Sequence, residues 1–411
     1  MNDCEPSDSR LLSYDEALQQ LLAAARPLDD SRAVPLAQAL GQVTARGVTS
    51  ALNVPPADNS AMDGYALRAA DLITSSNRLP VSQRIAAGTA PAPLAAGTAA
   101  RIFTGAPIPE GADTVVIQES CTTEGNNVVI NTPPGIGANI RRTGEDINEG
   151  DEIIAAGVRL EPQHLGLAAS VGVAELDVRR PLRVALFSTG DELVLPGEPL
   201  APGKIYNSNL FTATGLITAL GCEPVSLGIV EDSFEGTCAA LEKAAAQADL
   251  ILASGGVSVG EEDYVKPAVE ALGSLDLWKI AIRPGKPVAF GQVHGTPVIG
   301  APGNPVSLFV TFLLFARPFI LAMQGRTDPL PRARMVHADF ERPRPDKRRD
   351  FARARIRLDD EGRPWAYLHR SRSSGVLSSV AWASGLAIVR EGRTYQKGDR
   401  VEYLDFGEMM R

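Results

Sequence analysis

Cysteine and histidine are scarce in this chain of 411 residues. Cys4, Cys121, Cys222 and Cys238 are scattered without a C-x-x-C pair, and His164, His294, His337 and His369 are equally isolated. Their spacing encodes no structural zinc site, and so few cysteines suit a reducing compartment. No Ser-His-Asp arrangement or reactive-cysteine pattern is present. The longest apolar run, residues 306–316, stops at Arg317-Pro318, well short of the ~20 residues of a membrane span. Residues 1–10 are polar and acidic, unlike a signal peptide. The net charge of −9 argues against nucleic acid as a bulk partner. A soluble, cytoplasmic protein is expected, with no membrane or nucleic-acid partner.

Glycine-rich strand ends are what the chain does have. Residues 249–253 read as a buried strand. They run into Ser254-Gly255-Gly256-Val257-Ser258-Val259-Gly260 and then Glu261-Glu262-Asp263. Glycines let the backbone approach a ligand and point N–H groups at it, and carboxylates suit a hard cation such as Mg²⁺. The same segment also reads as a Gly-rich loop before a solvated acidic helix start. A second strand, residues 183–187, ends in Ser188-Thr189-Gly190-Asp191-Glu192-Leu193. In an open α/β sheet, ligands sit outside the carboxyl ends of strands, so the repetition favours a site.

The length allows about two to four domains. Ser13 and Glu16 form a capping box for a helix reaching residue 25, which Pro27 ends. Residues 44–139 carry short β-type runs between Gly, Pro and Asn clusters, with Gly125-Asn126-Asn127 as a hairpin turn. They read as a β-rich insert within an elongated domain formed by residues 1–43 and 140–180. Residues 181–329 alternate strand and helix. Strands are expected at 183–187, 224–230, 249–253 and 297–300, with 277–282 a further candidate; helices are expected near 207–220, 234–247, 263–272 and 305–323. That alternation predicts a parallel, doubly wound sheet. Residues 330–411 return to β texture and predict a small barrel. Residues 331–372 hold 13 Lys and Arg against 7 Asp and Glu, which fits an anionic ligand, an interdomain contact or an ordinary basic surface.

Two further segments join the strand ends. Lys279, Arg283 and Lys286 place three cations within eight residues, in a turn stiffened by Pro284 and Pro287. A bend there would aim them at one anion. In Pro302-Gly303-Asn304-Pro305-Val306-Ser307, Asn304 suits a helix N-cap and Pro305 its first position. That helix start offers an anion site, or simply a cap. Asp58-Asn59-Ser60-Ala61-Met62-Asp63-Gly64-Tyr65, Thr104-Gly105-Ala106 and Arg142-Thr143-Gly144-Glu145-Asp146 are polar turns in or beside the insert. The residues alone support Mg²⁺-dependent chemistry on an anionic, nucleotide-linked substrate.

Taken together and in this order, these segments closely resemble the MoeA family, the molybdopterin molybdenumtransferases, which includes the C-terminal domain of gephyrin. The resemblance implies a multidomain α/β plus β fold: a doubly wound molybdopterin-binding domain, a β-rich insert, an elongated linker domain and a C-terminal barrel. It implies insertion of molybdate into adenylylated molybdopterin with Mg²⁺-dependent release of AMP. It also implies a homodimer whose active sites are shared, so that Asp58, Thr104 and Asp146 of one subunit would serve the α/β loops of the other. Contacts with the molybdopterin adenylyltransferase and with cofactor-accepting apoenzymes follow from the same source.

By motif, Glu192, Asp232 and Asp263 would hold Mg²⁺ or the nucleotide. Ser188, Thr189, Gly190, Ser254, Gly255, Gly256 and Ser258 would line the substrate, with Ser258 at the adenylate phosphate. Lys279, Arg283, Lys286 and Ser307 would hold molybdate and the pterin phosphate, and Pro302 and Pro305 would shape the pocket. Arg353 and Ser378 would contribute from the last domain. The family commonly has Lys-Pro-Gly-Lys-Pro where this chain has Arg283-Pro284-Gly285-Lys286-Pro287, which changes the shape of the cation at the first position. The alternatives are a molybdopterin adenylyltransferase, which lacks the insert and the barrel, and a non-catalytic scaffold of the same fold.

Overall fold

The computed structural model describes residues 11–256, 264–285 and 287–410. Ser258, Asp263 and Lys286 lie outside the described residues. The first helix, Tyr14–Ala24, starts at the expected capping box: Ser13 Oγ accepts from Glu16 N–H, and Glu16 answers to Ser13 N–H. Its apolar stripe of Ala17, Leu18 and Leu21 is buried.

Strands on either side of the six-stranded sheet of the insert pair with each other. Ser31–Pro35 runs antiparallel to Glu175–Arg179, and Val48–Thr49 pairs with Glu152–Ile154. Val34, Ile154, Leu160, Leu176 and Val178 form the core there. Between them, six strands make one sheet with apolar clusters around Leu79 and Val128 and around Ile85 and Val115. Its last hairpin, Cys121–Glu124 with Asn127–Ile130, turns at Gly125-Asn126, with Gly125 at φ +62°.

The α/β sheet has the order Glu223–Val230, Arg183–Thr189, Leu250–Ser254, Thr296–Ala301, Pro287–Val293, Gly273–Lys279. The first four strands are parallel, as the strand–helix alternation predicts. The last two are an antiparallel hairpin. The expected strand at 277–282 divides. Residues to Lys279 stay in this sheet, while Ile282–Arg283 leaves it to pair in parallel with Arg349–Leu358. Helices Ser208–Ala219, Phe234–Gln247 and Val265–Leu272 flank the sheet at their expected places.

The apolar helix at 305–323 is buried along nearly its whole length, with only Pro305 and Ala322 partly accessible. It passes through a π turn at Phe312–Ala316, which accommodates Pro318 and its missing N–H. The last five long strands, Arg334–Ala338, Arg349–Leu358, Pro364–Leu368, Gly385–Val389 and Arg400–Asp405, close on themselves as a barrel through pairing of Arg349–Leu358 with Gly385–Val389. One continuous core joins the first helix, the α/β sheet and the barrel, including Leu21, Leu252, Phe315, Phe351 and Leu404. Arg349 reinforces it. This buried guanidinium donates to both oxygens of Asp15 (3.0 and 2.8 Å) and of Glu391 (2.9 and 2.8 Å).

Candidate functional site

Three parallel strands end at one place and turn there on glycine. Arg183–Thr189 leads to Gly190, Leu250–Ser254 to Gly255-Gly256, and Thr296–Ala301 to Pro302-Gly303. Gly256, at φ +66°, cannot be replaced without strain: a Cβ would lie 2.4 Å from Val265 Cγ2 and 3.1 Å from Thr189 Oγ1. This edge forms one wall of a cleft of about 770 Å³ whose other wall is the barrel, through Arg348, Asp350, Arg353, Arg372 and Ser374.

Most of the α/β residues selected from sequence meet here. Thr189, Gly190, Glu192, Asp232, Ser254, Gly255, Gly256, Arg283, Pro302, Ser307 and Arg353 all line the cleft. Ser188 is buried beneath it, with Oγ 3.4 Å from Asn207 Oδ1. Lys279 is half-buried at its strand end and Pro305 begins the apolar helix; neither lines the cleft. The chain changes sheet between Lys279 and Arg283: Lys279 ends a strand of the α/β sheet, while Arg283 pairs with the barrel strand Arg349–Leu358. Ser378 is exposed at the start of a short helix.

The helix start at Asn304 is less open to anions than expected. Asn304 makes no side-chain cap bond, Pro305 has no N–H, and Val306 N–H donates to Ser374 O of a barrel loop at 3.0 Å. Arg353 is also occupied. Its Nε donates to Ser379 Oγ (3.1 Å) and its Nη2 to Ser371 O (2.8 Å) and Ser373 O (3.1 Å), so it shapes the loop that carries Arg372 and Ser374. Burial lowers its pKa.

Arg283 is drawn to the barrel. Ile282 and Arg283 register with Arg349 and Asp350, and Arg283 Nη1 lies 3.1 Å from Asp346 Oδ2. Its Nε is buried without a partner. Arg372 pairs with Asp350 at 2.8 Å.

Asn209 escaped the sequence reading. This buried residue donates from Nδ2 to Ser254 Oγ (3.0 Å) and to Gly303 O (2.7 Å), tying two of the strand-end loops together. Its only sequence signal is its place in the first turn of the helix that follows Ile205-Tyr206. Arg348, Asp350 and Arg372 were also missed as individuals, although they lie in the stretch with a basic excess.

Charge is divided across the cleft. Glu192 and Asp232 lie on the sheet side, and Arg348, Arg353 and Arg372 on the barrel side together with Asp350, which pairs with Arg372, and Arg283 lies between. Among the described residues, no three His, Cys, Asp or Glu side chains come together as a metal cluster. Two carboxylates sharing a cleft with hydroxyls and backbone oxygens nevertheless fit a hard, oxygen-seeking cation. The third candidate, Asp263, lies outside the described residues.

The insert's polar turns gather into a patch of their own. Asp58 Oδ2 pairs with Arg142 Nη1 at 2.6 Å and its Oδ1 accepts from Thr143 N–H at 2.9 Å. Hydrogen bonds from the Thr143 backbone and Arg142 hold its pKa below the usual carboxylate range, against a smaller opposing effect of burial. Asp63, not Asp58, holds Thr104, accepting from both its N–H and its Oγ1–H at 2.8 Å. Asp146 N–H donates to Val54 O. None of Asp58, Thr104 and Asp146 lines the cleft of its own chain.

Three family models match consecutive stretches: "MoeA N-terminal region (domain I and II)" over residues 12–172, "Probable molybdopterin binding domain" over 185–322, and "MoeA C-terminal region (domain IV)" over 336–406. A protein of Haemophilus influenzae described as molybdopterin molybdenumtransferase is 41 % identical over 317 residues, covering 77 % of this chain and 78 % of that protein. One of Synechococcus elongatus with the same description is 38 % identical over 401 residues, covering 94 % and 97 %. The crystal structure of a molybdopterin biosynthesis MoeA protein from a Pyrococcus species (P. horikoshii) superposes with a TM-score of 0.80 at 31 % identity, covering 97 % of this chain and 99 % of that one. Alike in sequence nearly end to end and in the arrangement of its sheets, the chain belongs to the MoeA family.

Proposed function

We propose that the protein is a molybdopterin molybdenumtransferase, which inserts molybdate into the dithiolene of adenylylated molybdopterin and releases AMP. The observation that carries this reading is the uneven charge in the cleft: Glu192 and Asp232 on the sheet side face Arg348, Arg353 and Arg372 on the barrel side, where the carboxylate of Asp350 is already paired with Arg372. An adenylylated pterin with molybdate needs both. The glycine loops at 190 and 255–256 admit the nucleotide phosphate close to backbone N–H groups. Arg283 and the barrel arginines neutralise the oxyanion, so that sulfur can approach it. Glu192 and Asp232 would hold Mg²⁺, which when bound supplies charge neutralisation at the adenylate phosphate. Asn209 and Thr189 keep the strand-end loops fixed while the linkage is cleaved.

The dimer with shared sites belongs to the same proposal. It is supported by the insert patch of Asp58, Thr104 and Asp146, none of which lines the candidate cleft of its own chain. Handover of substrate from an adenylyltransferase and of product to apoenzymes, in the cytoplasm, completes the reading.

Reconstitution tests it. Purified protein with adenylylated molybdopterin, Mg²⁺ and molybdate should activate an apo-molybdoenzyme and release AMP stoichiometrically, without ATP. Activation that requires ATP, or AMP release that does not respond to molybdate, would overturn it.

A further inference from the structure

A second cleft, of about 750 Å³, opens where residues 158–164, the connection at 326–334 and the barrel end at 405–408 meet. It is close in volume to the candidate site and shares no residue with it. Five arginines line it: Arg159, Arg317, Arg326, Arg332 and Arg334.

Arg317 is the unusual member. It is 3 % exposed. Its Nε donates to Met409 O and its Nη1 to Pro329 O at 3.0 Å, and it forms no ion pair among the described residues. Carbonyl partners satisfy the donors, and Asp328 and Glu408 offset the charge without pairing with it, against the neighbouring Arg326. The nearby acids are committed elsewhere or exposed. Asp328 takes Arg326 at 3.1 Å and Asp405 takes Arg334 at 3.0 Å. Glu161 accepts from Gln163 Nε2 at 2.6 Å, and Glu408 is exposed on the rim. Arg332 is exposed and has no partner among the described residues.

We propose that this cleft binds a phosphoryl anion, with Arg317 and Arg332 as its principal donors. The planar guanidinium fork matches phosphate oxygens, and five arginines around one cleft leave an excess of positive charge that an anion would offset. The volume exceeds what one phosphate fills, so the phosphate of a nucleotide-sized ester fits as well as the inorganic ion. Because the walls come from three segments, an occupant would pin the connection at 326–334 to the barrel and stabilise the folded chain by mass action.

Calorimetric titration of the full-length protein at constant ionic strength, with inorganic phosphate and separately with AMP, tests this without reference to turnover. Arg332→Glu, at an exposed position, should weaken binding at least tenfold. Arg283→Ala, in the first cleft, should leave this site intact. The phosphate-dependent rise in melting temperature should likewise vanish in Arg317→Leu. If AMP binds more tightly than phosphate and is lost with Arg332→Glu, the occupant is an ester; if phosphate binds as well as AMP, it is the inorganic ion. Binding unchanged in Arg332→Glu, or lost only in Arg283→Ala, overturns the proposal.

Discussion

Arg283 and Asp346 form an ion pair at 3.1 Å between the turn after the α/β edge strand and the barrel. The residue proposed to clamp an oxyanion is thus also an interdomain tether, and both roles are open to measurement.

Arg283→Ala should weaken the molybdate dependence of AMP release by about ten- to hundredfold, the value of a charge-assisted hydrogen bond of about 1.5–3 kcal/mol. Arg283→Lys should recover much of it. Asp346→Asn removes only the tether. Since both side chains are about a third exposed, it should cost no more than about 1 kcal/mol and leave molybdate use intact. Equal losses in both variants, with lowered melting points, would assign Arg283 to structure alone.

Glu192→Gln and Asp232→Asn should each raise the Mg²⁺ concentration for half-maximal AMP release by roughly tenfold or more, because an amide keeps the size but loses the charge that holds a hard cation. Excess Mg²⁺ should restore part of the rate. Asp263→Asn should behave alike. An unchanged Mg²⁺ titration in all three would remove these carboxylates from the metal.

Mixing inactive Asp63→Ala chains with inactive Asp232→Ala chains should restore activity, since one cleft of the mixed dimer would be whole. Mixed dimers confirmed by mass but silent in the assay would exclude shared sites. Asp58→Ala should act differently from Asp63→Ala. Asp58 is engaged with Arg142 and Thr143, so its loss should loosen the insert before it affects catalysis.

Arg349→Met should destabilise the chain by about 1–2 kcal/mol, read by urea denaturation, because the carboxylates left behind, Asp15 and Glu391, are 69 % and 38 % exposed and are screened by solvent. The pH response follows from Glu391, whose folded carboxyl Arg349 holds below its ordinary pKa of 4.5. As pH falls, the unfolded chain takes up that proton first. The contribution is full above about pH 5 and is lost as pH falls through the lower folded value. Arg349→Met should flatten this acid limb; an unaltered limb would show that other carboxylates set it.

Local rules made much of the fold legible. The Ser13 and Glu16 box, the strand–helix alternation and the glycine strand ends need only neighbours in sequence. The strand Pro287–Val293 was missed because Pro287, directly after Pro284-Gly285-Lys286, reads as turn. Only the fold shows that residues 277–282 divide between two sheets, which puts Lys279 and Arg283 on different ones. The choice between Asp58 and Asp63 was likewise beyond sequence. Both sit in one polar turn, and the partner each finds, Arg142 or Thr104, is 84 or 41 residues away. Arg348 and Arg372 were visible only as a basic excess, because a barrel wall takes its residues from separate strands and loops.

The core that runs without interruption from Leu21 through Leu252 and Phe315 to Phe351 and Leu404 has a consequence for how the chain comes apart. The first helix, the α/β sheet and the barrel share one solvent-excluded interior, so they form a single cooperative unit. The insert, with clusters of its own around Val115 and Val128, can open without exposing that interior. Backbone amides of Val115 and Val128 should therefore exchange with deuterium independently of those of Leu252 and Phe351, and thermal unfolding should be at least biphasic.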